Sequence, residues 1–393
     1  MASLMVVVLA ACGSSPSVGP LVPAAELAIV AKADDDLVLL GPELEDAVTR
    51  GTGITTVYVT AGSGERAKRT EGAKAAYGAM AGSDEWVCGE RTSGQTTMEH
   101  CRLEAAGVSL VFLDYPDGGA DGGEAESLLH LWQGDIDSAT SAYGSKLTQG
   151  ELIRVLAEVI DATAPTTLRT LEIAATHGRD QSDHMLVGAL ALLGVAAATA
   201  TPVVIAYRGD NIADEAANVD GAVVDRATMI AGRYAACTTG CAACGAACAA
   251  TALSAEERAV LARRYPVAMR AASGLLRQGA SCVTVSTEGA NAALGDCLTA
   301  PSWALDEGFR LRSSTGLCLR ALATGEMIAT GCANDGPGGR FFFDEEGHLW
   351  SGIPALATAD MAFAHVDCVV VAGGRPRAAL CGAARAPTWE LAP

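Results

Sequence analysis

The chain has 393 residues, half of them apolar, which is more than one hydrophobic core usually serves and enough to build two. Its 46 acidic residues outnumber 27 basic ones, a net charge of −19. The excess is spread along the chain, which excludes a nucleic acid as partner, because a phosphate backbone is held by clustered Lys and Arg.

Residues 1–9 are largely apolar, too short a run to span a bilayer, and small residues follow up to Cys12. This is the pattern of an export signal, and a polar Gly/Ser/Pro tether reaches from it to Pro20. Leu9-Ala10-Ala11-Cys12 resembles the lipobox of bacterial lipoproteins, which implies lipidation at Cys12 and a chain exported and anchored to the cell envelope through the membrane. An ordinary cleaved signal with a chance cysteine is the other reading.

The next apolar run, 27–31, suits a buried parallel strand and ends directly in Lys32-Ala33-Asp34-Asp35-Asp36. Open α/β sheets bind ligands at the carboxyl ends of their strands, so this acidic loop is a candidate site before any family is considered. A second β-rich run, 54–60, is followed by a turn at 61–64 and a helix-like stretch over 65–80. A strand over 108–113 leads into Asp114-Tyr115-Pro116-Asp117-Gly118-Gly119. The pattern then predicts a helix over 148–162 and a strand over 170–176 that runs through His177 into Asp180-Gln181-Ser182-Asp183-His184. An Ala/Leu-rich helix over 185–198 is closed off by Pro202 before a strand over 203–207. Strand, loop and helix alternate, which is doubly wound α/β architecture with polar residues gathered at successive strand ends.

The pairing of Ala31-Lys32-Ala33-Asp34-Asp35-Asp36 with Asp180-Gln181-Ser182-Asp183-His184 resembles the two signature segments of the PIG-L (LmbE-like) sugar N-deacetylases. Residues 60–64, 69–77 and 115–119 sit between them in the family's order, and the resemblance covers about residues 26–270. It implies a Rossmann-like, doubly wound parallel sheet of PIG-L type, Zn²⁺ as cofactor, and an N-acetylated amino sugar or glycan as substrate. Amide hydrolysis needs a nucleophilic water, an electrophile for the amide oxygen, and a base that later protonates the amine; bound Zn²⁺ serves the first two needs. Carried over by the resemblance, Asp34 is the base, Asp35 and His184 are metal ligands, and Arg69 and Asp117 face the sugar.

Two positions depart from the family. Lys32 stands at the third ligand position, where a protonated ammonium has no lone pair to offer, and nearby carboxylates favour its charged form. Lys32 is therefore expected to face Asp35 as a cation in the metal's place. Gln181 stands where the family has a histidine that stabilises the tetrahedral intermediate. Its amide still donates a hydrogen bond, so this change alone removes about 3 kcal/mol of stabilisation at most. His177 is close enough in sequence to supply a third ligand or to be a loop histidine bonded to backbone, while His100 and His130 fall in no ligand spacing.

Of the 13 cysteines, the twelve that remain after Cys12 fall into even local groups: Cys88 with Cys101, four from Cys237 to Cys248, and six from Cys282 onward. Even groups in an exported chain point to disulfides, and the run of four, whose spacing would also suit zinc, is read the same way. After residue 277 the composition shifts to short β-rich runs in three units: Cys282 to Cys297 then Trp303, Cys318 to Cys332 then Phe341, Cys368 to Cys381 then Trp389. Three such units imply one shared core. They resemble the ricin-type β-trefoil, with Trp350 and Asp296 as possible sugar contacts.

The organisation expected is thus a signal and tether over 1–20, a PIG-L-like α/β domain over 21–275, and an all-β trefoil-like domain over 276–393. Three functions fit it: a zinc-dependent amino-sugar N-deacetylase at the cell surface, a non-catalytic carbohydrate-binding lipoprotein that kept the pocket and lost the metal, and a disulfide-stapled scaffold for another protein.

Overall fold

The computed structural model describes residues 18–133, 135–172, 180–241, 244, 248–268, 273–305, 310–322, 324–332, 337–339, 341–343, 347–354, 366–380 and 387–392. Cys12, His177 and Cys381 lie outside the described residues. Among the described residues no helix is long and apolar enough to cross a membrane.

The first part of the chain runs β1 (Glu26–Val30), α1 (Gly41–Arg50), β2 (Ile54–Thr60), α2 (Arg66–Ala81), β3 (Val87–Ser93), β4 (Thr96–Leu103), β5 (Val108–Tyr115) and α3 (Leu128–Gln133). A short hairpin, β6 (Ala139–Thr140) and β7 (Lys146–Leu147), precedes α4 (Gln149–Thr163), β8 (Thr167–Leu171), α5 (Ser182–Ala197), β9 (Val203–Tyr207), α6 (Gly221–Thr239), α7 (Ala255–Leu261) and β10 (Pro266–Ala268). β1, β2 and β5 are buried along their whole length, as strands covered on both faces must be. α4 starts on a capping box: the Thr148 hydroxyl accepts from the Glu151 amide while Glu151 accepts from the Thr148 amide.

The strands form one eight-stranded sheet in the order β10-β9-β8-β1-β2-β5-β4-β3. The middle five, β9, β8, β1, β2 and β5, are parallel. The expectation of a parallel sheet needs correcting at both edges, because β10, β4 and β3 run antiparallel. The physical reason is plain for β3 and β4: only Gly94 and Gln95 separate them, with Gly94 at φ 57°, and a two-residue turn can only return a strand antiparallel. The chain moves from β1 outward to β2 and β5, then returns to place β8 on the other side of β1. That reversal is a topological switch point, where the loops after two neighbouring strands diverge and leave a crevice.

The helices fall into two groups, α1, α2 and α6 in one and α4 with α5 in the other. α5 is apolar around its circumference, with Met185, Leu186, Val187, Leu190 and Ala191 all buried. One core links the sheet to both groups, from Leu27 and Ile29 on β1 through Tyr58 and Phe112, whose rings stack at 4.9 Å, to Leu156 and Ile160 on α4.

From Ser273 the chain is β-rich and its pairing is antiparallel, beginning with β11 (Ser273–Gln278), which bonds to both the following strand Ser281–Thr284 and the last strand Glu390–Ala392. A second core holds Leu276, Val283, Trp303, Leu319, Phe341, Val369 and Trp389. The repeat is visible in its hydrogen bonds: Trp303 Nε1 donates to the Val283 carbonyl at 3.2 Å and Trp389 Nε1 to the Val369 carbonyl at 2.7 Å. Each acceptor directly follows the first cysteine of its unit. In the middle unit Phe341, which has no such donor, is buried in the same core with Leu319, the residue after Cys318. Disulfides join Cys88–Cys101 across the β3–β4 hairpin, Cys237–Cys244, Cys241–Cys248, Cys282–Cys297 and Cys318–Cys332, and Cys368 is also disulfide-bonded.

Candidate functional site

The loop leaving β1 is tied down before it reaches its acids. The Ala31 carbonyl accepts from the Thr60 amide at 2.7 Å and its hydroxyl at 3.1 Å. Asp34 then takes φ 152°, a conformation that costs an L-residue on the order of 1–3 kcal/mol and persists only where neighbours hold it. Its amide donates to the Lys32 carbonyl at 3.0 Å and its own carbonyl accepts from Val38 at 2.9 Å. The Asp35 carboxylate turns back to accept from the Lys32 amide at 2.8 Å.

On the other side of the switch point, the residues at the start of α5 face this loop. Asp180, buried, accepts through one oxygen from the Gln181 amide at 2.8 Å and the Asp210 amide at 3.0 Å, and the same oxygen lies 2.8 Å from His184 Nδ1. Gly209 packs against the Asp180 carboxylate so closely that a side chain there would collide with it. His184, fully buried, thus has one ring nitrogen fixed by Asp180 and presents Nε2 to Asp35 at 3.1 Å. A carboxylate that orients an imidazole in this way is the usual support of a metal-ligating histidine.

Lys32 completes the cluster. Its ammonium donates to Gln181 Oε1 at 2.7 Å and lies 3.6 Å from Asp35 Oδ1. The Gln181 amide nitrogen donates onward to Asp210 at 2.6 Å, so one side chain bridges the cation to an acid. Burial works against the Lys32 charge, but Asp35, Asp34, Asp210 and Asp117 more than offset it and hold its pKa above the ordinary value. The same balance raises His184 well above 6.5: burial opposes, and Asp35 with Asp180 prevails. Asp35 answers both cations, since burial alone would raise it and His184 and Lys32 together hold it below the usual carboxylate range.

Asp34 lies beside Arg69. Burial and repulsion from Asp35 push it up to about 7, against the pull of Lys32 and Arg69. Arg69, on the first turn of α2, lies 3.6 Å from Asp34 and is held by the Ser63 carbonyl at 2.6 Å and the Tyr234 hydroxyl at 3.0 Å. Asp117 lies in the loop after β5, where it caps the Gly119 amide at 2.8 Å. Next to it Asp183 accepts from the Gly118 amide at 3.0 Å, while its second oxygen is buried without a partner among the described residues; burial raises it to about 7.

The structure therefore brings Lys32, Asp34, Asp35, Arg69, Gln181 and His184 to one crevice, with Asp117 on the adjacent loop. Sequence reasoning gave no role to Asp180 and Asp210, which hold His184 and Gln181. Their one signal is position, since Asp180 opens the second signature and Asp210 follows the end of β9. It also passed over the support beneath the loop: Asp36, fully buried, accepts from Tyr58 and Tyr77, each at 2.8 Å, and Tyr77 bonds Thr56 at 2.6 Å. His130 pairs with Asp135 at 2.9 Å and His100 is buried on β4, both away from the crevice.

Zinc, which the family resemblance implies, does not fit these donors. Asp35 and His184 are oriented as ligands, but the third position holds an ammonium that already spends its donors on Gln181 and faces Asp35. Among the described residues, two ligands fall short of the three on which zinc sites rely. Asp180, His184 and Asp210 offer atoms within 4.8 Å of one another, yet the Asp180 oxygen nearest His184 already accepts two amides and Asp210 already accepts from Gln181.

Comparison with the curated proteins finds no match. Among solved structures, the chain is similar to a conserved protein from Thermus thermophilus, at 16% identity over 54% of this chain and 79% of that one, with a TM-score of 0.32. It is similar to a deacetylase triple mutant of the teicoplanin biosynthetic pathway, at 14% identity over 54% of this chain and 81% of that one, with a TM-score of 0.35. It is also similar to the A40926 pseudoaglycone deacetylase Dbv21, at 14% identity over 54% of this chain and 81% of that one, with a TM-score of 0.33. The profile of the GlcNAc-PI de-N-acetylase family, PIG-L, matches the stretch from β1 into α5 that builds both halves of the crevice. Residues 27–194 form a domain of the PIG-L family.

Proposed function

We propose that this domain binds an N-acylated amino sugar in the crevice between β1 and β8 without hydrolysing it. The observation that carries the reading is the Lys32 ammonium, 3.6 Å from Asp35 and bonded to Gln181, at the position of a metal ligand. Asp34, raised to about 7, suits a general base. A positioned base contributes roughly 10²–10⁴-fold, however, against the 10⁶-fold or more that enzymes typically provide. With two metal ligands and an ammonium at the third position, the remainder has no source among the described residues.

Binding is better served. The Arg69 guanidinium is a planar fork suited to vicinal hydroxyls, Asp117 and Asp34 offer acceptors, and Gln181 offers both polarities. The reading places the chain at the bacterial cell envelope, exported and lipid-anchored through Cys12, with the C-terminal β-rich part folded as a ricin-type trefoil that adds carbohydrate avidity.

A second reading, a working zinc-dependent N-deacetylase, is favoured by one observation, the Asp180–His184 pair that orients the imidazole toward Asp35. Metal content after dialysis against trace zinc, with free-amine release from N-acetylglucosamine oligomers, separates the two. The proposal expects neither zinc nor amine release, together with saturable binding of the oligomer. Near one zinc per chain with amine release overturns it.

A further inference from the structure

A second pocket, of about 600 Å³, lies between the C-terminal half of α2 and α6 and shares no residue with the Lys32 crevice. Its floor is made of small residues on one face of α2, Ala75, Gly78 and Ala79, extended by Gly82 just past the helix end. Gly78 is required there: any side chain would press to 2.8 Å from the Ser83 carbonyl and approach the Trp86 ring nitrogen at 3.7 Å. The backbone is thereby drawn down under Trp86, which forms one wall.

The polar groups around this floor have a definite arrangement. Glu71 and Lys74 pair at 2.6 Å on the α2 side, Arg233 stands opposite on α6, and Asp84 closes the end. Two acids face two bases, so the pocket has no net charge to select a polyanion or a cation. Two donors lie buried with no partner among the described residues, the Trp86 indole N–H and Arg233 Nε, although Arg233 is anchored elsewhere by the Cys248 carbonyl. Orphaned buried donors are costly unless a ligand or water accepts from them.

An indole wall, a floor of small residues, balanced charged groups at the rim and unpaired donors match one ligand class. A pyranose offers an apolar C–H face for the ring and a circle of hydroxyls that both donate and accept. The volume lies within the usual range for small-molecule sites. We infer that this pocket is a second saccharide-binding site, in which the sugar ring stacks on Trp86 and its hydroxyls bond Glu71, Asp84, Lys74 and Arg233. Along α2, Ala75 lies about 9 Å beyond Arg69, so one extended glycan can reach from this pocket toward the crevice.

The test reads Trp86 directly. The full chain, with its five tryptophans labelled as 5-fluorotryptophan, is titrated with N-acetylglucosamine, glucosamine and their β-linked oligomers up to the tetramer and followed by ¹⁹F NMR, with Trp86→Phe assigning the resonance. The Trp86 resonance is expected to shift saturably. Glu71→Gln combined with Asp84→Asn should weaken that response about tenfold, the cost of lost anchoring contacts, and Arg69→Ala in the crevice should leave the response to the two monosaccharides, which are too short to span both sites, unchanged. A Trp86 resonance unmoved across the whole panel overturns the inference, and so does a monosaccharide response abolished by Arg69→Ala. Failure of the crevice reading looks different: the Trp86 response persists while no binding depends on Arg69.

Discussion

Replacing Lys32 by histidine is expected to create a zinc site. A Zn²⁺ bound by Asp35 would lie about 2 Å from its carboxylate oxygen, and the Lys32 ammonium is 3.6 Å from that oxygen. Ion and ammonium would then be about 2–6 Å apart, with about 4 Å the middle of that range. At an effective dielectric of about 20, a single and a double positive charge at that separation repel by about 8 kcal/mol. Histidine removes the repulsion and supplies the third ligand, beside an imidazole that Asp180 already orients. The Lys32 side chain is 18% exposed, so solvent screens part of this. If only about a third survives, close to 3 kcal/mol, zinc affinity rises roughly a hundredfold. Calorimetric titration of zinc into parent and Lys32→His chains, with a competing chelator, measures the difference. Adding Gln181→His should then raise amine release from N-acetylglucosamine oligomers. Equal zinc affinity in parent and Lys32→His would refute the placement of Lys32 at the ligand position and the argument built on it.

Arg69→Ala should weaken amino-sugar binding in the crevice by about tenfold or more, and Arg69→Lys should not restore it, because a point charge lacks the guanidinium fork; calorimetry with both variants checks this. His100 is held down at about 4 by burial, with Arg91 and Arg102 adding to the effect, against an ordinary 6.5. The unfolded chain gains a proton below pH 6.5 that the folded one refuses until about 4, so stability falls as pH falls through that window, by up to about 3 kcal/mol. Urea midpoints of His100→Leu should lose that slope between pH 4 and 6.5. Trp389→Phe leaves the Val369 carbonyl without its donor and should cost the C-terminal core about 1–3 kcal/mol in urea unfolding. An unchanged midpoint would show that the middle unit's Phe341 arrangement is tolerated in all three.

Local patterns were enough for the elements that are covered on both faces. The run 54–60 is β2 from end to end, because a strand covered by helices must be continuously apolar or β-branched and shows it in sequence; 203–207 is β9 on its β-branched composition, although Val203 is exposed. The helix starting at Thr148 was legible because its cap is local chemistry, a Thr and a Glu three residues apart. The hairpin of β3 and β4 was not read as strands, since it lies at the sheet edge and its residues, Cys88-Gly89-Glu90-Arg91 among them, keep one face toward water and alternate only weakly. α6 was passed over for a related reason: its buried stripe of Val224, Ala227, Ile230, Ala231 and Tyr234 uses small residues that carry little periodic signal.

The sequence alone also identified both acidic segments as site-forming, since polar runs at strand ends need no partner to be noticed. What it lacked was the partner of each group. Lys32 and Gln181 are 149 positions apart, and only the return of β8 to the flank of β1 puts them in hydrogen-bond contact. Asp180, Asp210, Tyr58 and Tyr77 enter the site as supports through packing at three different strands and a helix, a relation that no spacing encodes. Residue types and their order determine which polar groups this chain brings to the site. Strand order and side-chain packing decide that Gln181 meets Lys32 and His184 meets Asp35, because groups 149 positions apart interact only once the fold closes the distance between them.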